Sequence, residues 1–188
     1  MFSPSPSSQL LSFSLPTPSH SQGISTVTAD SKAYIYSTPL TVDLEGQGQL
    51  TTLVGTSQGY FYALDNHGRP RRGFPVHFGE IQMAPVAADI AGDSYLEIIV
   101  GDHNGVLAVM ETRGEEVWSR RLSGALTQSV SVGDVDGDGL VDVVAVTETG
   151  DVWVLYGMNG TDVRRFPIRT GNEVKSMPLL VDLSQVSE

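Results

Sequence analysis

The chain has 188 residues, 40% of them hydrophobic and 18% charged, with a formal net charge of −11 and no cysteine. That apolar content is enough for one packed domain, whereas the acidity argues against nucleic acid as a partner, which needs a basic face, and against docking on anionic lipid. Disulfides are excluded with the redox compartment left open, and no apolar run approaches the ~18 residues of a membrane span.

Residues 1–23 are Ser/Pro-rich and uncharged, opening Met1-Phe2-Ser3-Pro4-Ser5-Pro6-Ser7-Ser8. Such a composition buries too little apolar surface to offset its ordering entropy. Residues 10–15 are mildly apolar but do not form a secretory signal. The first basic residue is Lys32, and Pro16 and Pro18 interrupt the run. A transit peptide would also be Arg-rich, which this segment is not. Residues 1–31 are expected to form a disordered tail, or the arbitrary start of an incomplete chain, and residues 32–188 the folded part.

From Tyr34 onward the sequence repeats. Ser37-Thr38-Pro39-Leu40-Thr41-Val42-Asp43-Leu44 opens one copy and Met83-Ala84-Pro85-Val86-Ala87-Ala88-Asp89-Ile90 the next. Ser129-Val130-Ser131-Val132-Gly133-Asp134-Val135 and Ser176-Met177-Pro178-Leu179-Leu180-Val181-Asp182-Leu183 open the third and fourth. The marker aspartates Asp43, Asp89, Asp134 and Asp182 lie 46, 45 and 48 residues apart. A period near 40–50 residues with strand-like contents indicates a propeller blade.

Each complete copy offers four strand candidates, in the third at 129–135, 141–147, 150–156 and 162–168. Many are apolar on both faces, as in Val141-Asp142-Val143-Val144-Ala145-Val146. A blade between two neighbours needs that pattern. The Asn159-Gly160 pair marks a hairpin, and no segment keeps a helical period. The expected fold is all-β: a partial β-propeller of about three four-stranded blades (37–82, 83–127, 128–175) with the start of a fourth (176–188). Three blades do not close a propeller, which takes at least four, so the chain reads as a fragment of a longer protein or an incomplete gene product.

The chemistry concentrates in Asp134-Val135-Asp136-Gly137-Asp138-Gly139-Leu140-Val141-Asp142. Four carboxylates this close repel one another, and a hard cation with oxygen-only coordination, Ca²⁺, relieves the repulsion. Asp134, Asp136, Asp138 and Asp142 offer side-chain oxygens and Leu140 a carbonyl. Gly137 and Gly139 accept the positive φ of a tight loop. An EF-hand begins with the same letters but needs a Glu at position twelve, which here is Ala145, and flanking helices, which here read as strands. The loop degrades in the other copies. In the second, Asp89, Asp93 and Glu97 form a weaker second metal site, with Ala91 in place of a ligand. The first keeps Asp43 and Glu45 but has Gln47 and Thr51, and is expected to fold without metal.

An Asp-x-Asp-Gly-Asp-Gly-x-x-Asp loop at this period resembles the FG-GAP repeats of integrin α propellers, which implies Ca²⁺ as cofactor. Within that group, residues 32–183 resemble the plant defective-in-exine-formation family. The resemblance is carried by Ala33-Tyr34-Ile35-Tyr36-Ser37-Thr38-Pro39, Leu53-Val54-Gly55-Thr56-Ser57, Ala87-Ala88-Asp89-Ile90, Phe166-Pro167-Ile168-Arg169-Thr170 and Leu179-Leu180-Val181-Asp182-Leu183 besides the acidic loop. It implies a full-length protein anchored in a membrane and facing the secretory lumen or cell exterior, a role in pollen-wall patterning, and no enzymatic activity. Neither the signal nor the anchor lies in this chain. The Asn159-Gly160-Thr161 sequon would suit N-glycosylation at Asn159 in such a compartment.

The function expected is a calcium-binding, non-catalytic binding or adhesion platform whose partner is a protein or a cell-wall polysaccharide. The alternative is the propeller module of a polysaccharide-active enzyme. Catalysis needs a converging acid and base, and His20, His67, His77 and His103 stand in no partnered motif. A quinone enzyme would repeat a Trp in each blade, and only Trp118 and Trp153 occur.

Overall fold

A computed structural model describes residues 33–182. The tail expected at 1–31 and the close of the fourth copy lie outside the described residues. Twelve strands occur among them and no helix. The first sheet holds β1 (Leu40–Val42), β2 (Thr51–Gly55), β3 (Tyr60–Leu64) and β4 (Val76–His77). The second holds β5 (Val86–Ala88), β6 (Glu97–Gly101), β7 (Val106–Met110) and β8 (Glu116–Arg121). The third holds β9 (Ser131–Gly133), β10 (Asp142–Val146), β11 (Asp151–Tyr156) and β12 (Ile168–Arg169). Each sheet is an antiparallel meander in chain order, and each is one blade of a partial propeller.

The middle strands are buried on both faces, as the apolar runs demand. In β6, Ile98 and Val100 join Leu53, Phe61, Ala63 and Met110 in a core between the first two blades. Ile99, one residue along and pointing the other way, joins Leu107, Val143, Ala145 and Leu155 between the second and third. Polar ties also run between copies at the repeat distance. Ser37 Oγ donates to Met83 O at 3.0 Å, Ser129 Oγ to Ala84 O at 2.9 Å and Ser131 Oγ to Pro178 O at 2.5 Å. Trp118 also reaches across to the third blade. Its Nε1 donates to Gly157 O at 2.6 Å, and its indole lies so close to Gly160 that an added Cβ there would stand 2.5 Å from the ring.

The outer strands are shorter than the sequence suggests. The candidate at 162–168 is only Ile168–Arg169 in the structure, with an isolated bridge from Asp162 to Leu155 ahead of it. Two residues explain the break: Arg165 takes φ of 79°, and Pro167 has no N–H to give a ladder. In the first blade the outer strand is likewise two residues long, Val76–His77, directly after Pro75. The opening of the fourth copy, 176–182, forms no strand, and Leu179 and Val181 stand exposed.

One turn recurs in every blade. Gly59, Gly105 and Gly150 end the hairpins between the two middle strands at φ of 82°, 83° and 87°. Their carbonyls accept from Phe78 N, Leu122 N and Thr170 N at 2.8, 2.8 and 3.1 Å, which fastens the chain leaving the outer strand. A Cβ on Gly150 would stand 1.8 Å from Asn172 O, whereas one on Gly68, at φ of 73°, meets nothing within 4 Å. Gly68→Ala is therefore expected to cost only the left-handed backbone penalty, about 1–2 kcal/mol. Gly150→Ala should cost clearly more. Urea midpoints of the two variants against the parent check the difference.

Candidate metal centre

The loop of residues 134–141 joins β9 to β10 on the end of the blade that also carries the β11–β12 connection. The ladder places Asp142, first residue of β10, opposite Tyr156, last residue of β11. Asp134, Asp136 and Asp138 are exposed, and each offers a carboxylate oxygen within 4.8 Å of the others. Backbone amides hold them in this convergence. Asp134 accepts from Gly137 N at 2.7 Å and Gly139 N at 2.9 Å. Asp136 accepts from Asp138 N at 3.2 Å, and Asp138 from Leu140 N at 2.8 Å. Gly137 and Gly139, at φ of 82° and 86°, turn their N–H groups inward, a conformation other residues rarely take.

Asp142 differs from the other three. It is fully buried, one of its oxygens accepts from Val135 N at 2.9 Å, and the other, Oδ1, has no hydrogen-bond partner. Burial pushes its pKa up, and the charges of Asp136, Asp138 and Asp134 push it further. It stands outside the convergent trio. A buried carboxylate with an unpartnered oxygen beside three exposed ones is an all-oxygen donor set of the kind a hard dication takes. Leu140 sits on the exposed loop, with its N–H engaged by Asp138.

The other two loops resolve their charge internally. Asp89 accepts from Gly92 N, Asp93 N and Ser94 N at 2.6, 3.1 and 2.9 Å. Glu97 is buried and accepts from Ile90 N at 2.7 Å and Ala91 N at 3.2 Å. Asp89, Asp93 and Glu97 form no convergent carboxylate group among the described residues. In the first loop Asp43 accepts from Gly48 N at 2.5 Å, a bond that holds its pKa below the usual range. Glu45 is ion-paired with Arg71, whose other nitrogen donates to Thr51 Oγ1 at 2.5 Å.

Two site residues escape sequence reasoning. Tyr156 donates its phenol proton to Asp136 Oδ2 at 3.0 Å, and that bond raises the phenol's own pKa. Arg71 plays the cation in the first loop. Counting outward along the hairpin from Val146 and Val152 would have placed Tyr156 opposite Asp142, whereas nothing in the sequence marks Arg71. Of the histidines, His67, His77 and His103 are exposed, His77 lying edge-on to Tyr60 at 5.0 Å. His20 lies outside the described residues. Asn159 is exposed on its hairpin, and its Oδ1 accepts from Thr161 N at 2.9 Å and Thr161 Oγ1 at 2.7 Å.

Comparison with known proteins agrees with this architecture. Residues 89–145 match the FG-GAP-like repeat family. Lambda-carrageenases of Pseudoalteromonas sp. and Pseudoalteromonas carrageenovora are each 34% identical over 58 residues, 31% of this chain and 6% of theirs. Among solved structures, BamB from Moraxella catarrhalis superposes with a TM-score of 0.51 at 21% identity, over 72% of this chain and 38% of BamB. The V. cholerae biofilm matrix protein Bap1 does so with a TM-score of 0.51 at 21% identity, over 68% of this chain and 19% of Bap1. At that identity the likeness is one of fold. The chain spans well under half the length of each of these proteins.

Asp142 sets a pH signature for the metal-free protein. Its folded pKa lies above the ordinary value of 3.8, so the folded chain holds the proton more tightly than the unfolded one. Stability from this group is present at low pH and is lost as pH rises from that value through the raised folded pKa. Asp142→Asn keeps an acceptor for Val135 N and removes the charge. In EDTA it is expected to be more stable than the parent at pH 7, with the gap closing as pH falls towards 4. Asp43 and Asp65, whose pKa values are lowered, act in the opposite sense in both proteins and cancel in the difference. Denaturant unfolding of the pair across pH 4–7 measures it.

Proposed function

We propose that the chain supplies blades of a calcium-stabilised propeller that acts as a non-catalytic binding platform. The observation that carries this reading is the donor set: three exposed aspartates converging within 4.8 Å beside a buried fourth with an unpartnered oxygen. Asp134, Asp136, Asp138 and Asp142 would hold the ion, with the Leu140 carbonyl as a further donor. A bound Ca²⁺ would supply positive charge where four carboxylates gather. The chain's own residues do the rest. Gly137 and Gly139 fold the loop back, and the β10–β11 ladder fixes Asp142. A loop ordered on a rigid blade end then presents a fixed surface to a partner.

The finer reading follows the resemblance to the defective-in-exine-formation family. The parent protein would be membrane-anchored, face the secretory lumen or cell exterior, and engage a protein or wall polysaccharide in pollen-wall patterning. A glycan on Asn159 belongs to the same reading. The exposed side chain and its Thr161 hydroxyl contact support it. A second reading, the propeller module of a polysaccharide-active enzyme, draws on the 34% identity to the lambda-carrageenases over 58 residues.

Thermal melts of the full chain in EDTA and in Ca²⁺ test the first reading. At a hundred times its dissociation constant, Ca²⁺ should add about 2.7 kcal/mol, and Asp138→Ala should abolish the gain. An unchanged melt would remove calcium from the account. New reducing ends released from wall polysaccharides by the parent protein would favour the enzyme module instead.

A further inference from the structure

We propose that Tyr156 is a positioning residue for the cation loop: its phenol holds Asp136 by a neutral hydrogen bond that fixes the carboxylate and leaves its charge for a metal. The inference rests on the calcium reading above and adds to it a residue outside the acidic motif. Its basis is a comparison of the three blades, which solve one problem in three ways.

The third position of the loop is Glu45, Ala91 and Asp136 in successive blades. Glu45 is held by the Arg71 guanidinium, which also reaches Thr51, the ninth position. A permanent cation thus occupies the mouth of the first loop, and its carboxylate has no charge to spare. In the second blade the third position carries no carboxylate, and the ninth, Glu97, turns inward onto two backbone N–H groups. In the third blade the carboxylate remains, and the group that fixes it is uncharged: Tyr156 Oη to Asp136 Oδ2 at 3.0 Å. No ion pair to Asp134, Asp136, Asp138 or Asp142 occurs among the described residues.

The ladder makes the comparison one of equivalent positions. Asp142 pairs with Tyr156. The ladders of the other blades stop one pair earlier, at Thr52 with Leu64 and Ile98 with Met110; counting one residue further, the places equivalent to Tyr156 are Asp65 and Glu111. A carboxylate there cannot donate a proton to a loop aspartate at neutral pH, whereas a phenol can. The blade with the full set of aspartates is the one with a phenol at this place. Outer donors of this kind orient a ligating carboxylate and typically contribute 10–100-fold in metal affinity.

Calcium titration calorimetry of the full chain, with thermal melts in EDTA, tests the inference. Tyr156→Phe should bind Ca²⁺ about 10-fold more weakly while melting in EDTA as the parent does, since the lost hydroxyl bond is exposed. Tyr156→Arg should reproduce the first blade: a higher melting temperature in EDTA and no calcium heat. Equal affinity in Tyr156→Phe and parent would overturn the inference and leave the calcium reading standing. So would a loss of stability in EDTA as large as the loss in calcium, because that marks a structural hydroxyl. A parent chain that gives no calcium heat would overturn both.

Discussion

The middle blade of this chain buries both of its faces. Ile98 and Val100 of β6 pack toward the first blade while Ile99 packs toward the third, so the strand is stable only between two neighbours. Every other feature follows from this two-sided burial. The middle strands are apolar through their centres, and polar side chains gather at their ends and in the connections. Those connections are short and anchored by rigid hairpins, so a side chain at the edge of a strand has a fixed position. Asp142 marks the boundary. It pairs in the ladder with Tyr156 and Gly133, lies fully within the core, and yet borders the acidic loop.

That boundary position explains why four aspartates close in sequence are not equivalent. Three sit on the loop and share their charge with water and backbone amides. The fourth is buried, and one of its oxygens has no hydrogen-bond partner. An unpaired buried charge is costly. In the first blade the ninth residue is Thr51, neutral and bonded to Arg71; in the second, Glu97 accepts two amides. Among the described residues, the third loop is the one whose carboxylates include a buried oxygen without a partner. The three loops therefore form an internal series in which the scaffold is constant and the charge balance changes.

Much of this could be read from the sequence because the determinants are local. The spacing of Asp43, Asp89, Asp134 and Asp182 gave the period, the Val-rich runs gave the buried strands, and Asn159-Gly160 gave a hairpin. The outer strand of the third blade was misjudged because one proline and one left-handed residue decide it, and Arg165 has no local signal for φ of 79°. Contacts that cross the ladder or the blade boundary were not visible. Nothing in the sequence ties Trp118 to the next blade, yet its Nε1 reaches Gly157 there. Tyr156 and Arg71 act on loops 20 and 26 residues earlier in the chain. Their roles depend on strand register, which the composition of the loop does not encode. The acidic motif by itself treats Asp89, Asp93 and Glu97 as a lesser copy of the third loop; the structure adds that Asp89 and Glu97 accept from backbone amides.

The central proposal is that, of the three loops among the described residues, the third takes up a cation. Equilibrium dialysis of the full chain against radioactive calcium counts the sites directly. The account predicts one ion bound per chain, and none in Asp138→Ala. Zero ions on the parent chain would contradict the claim that the third loop binds. Two would contradict the claim that Asp89 and Glu97 are satisfied by the backbone.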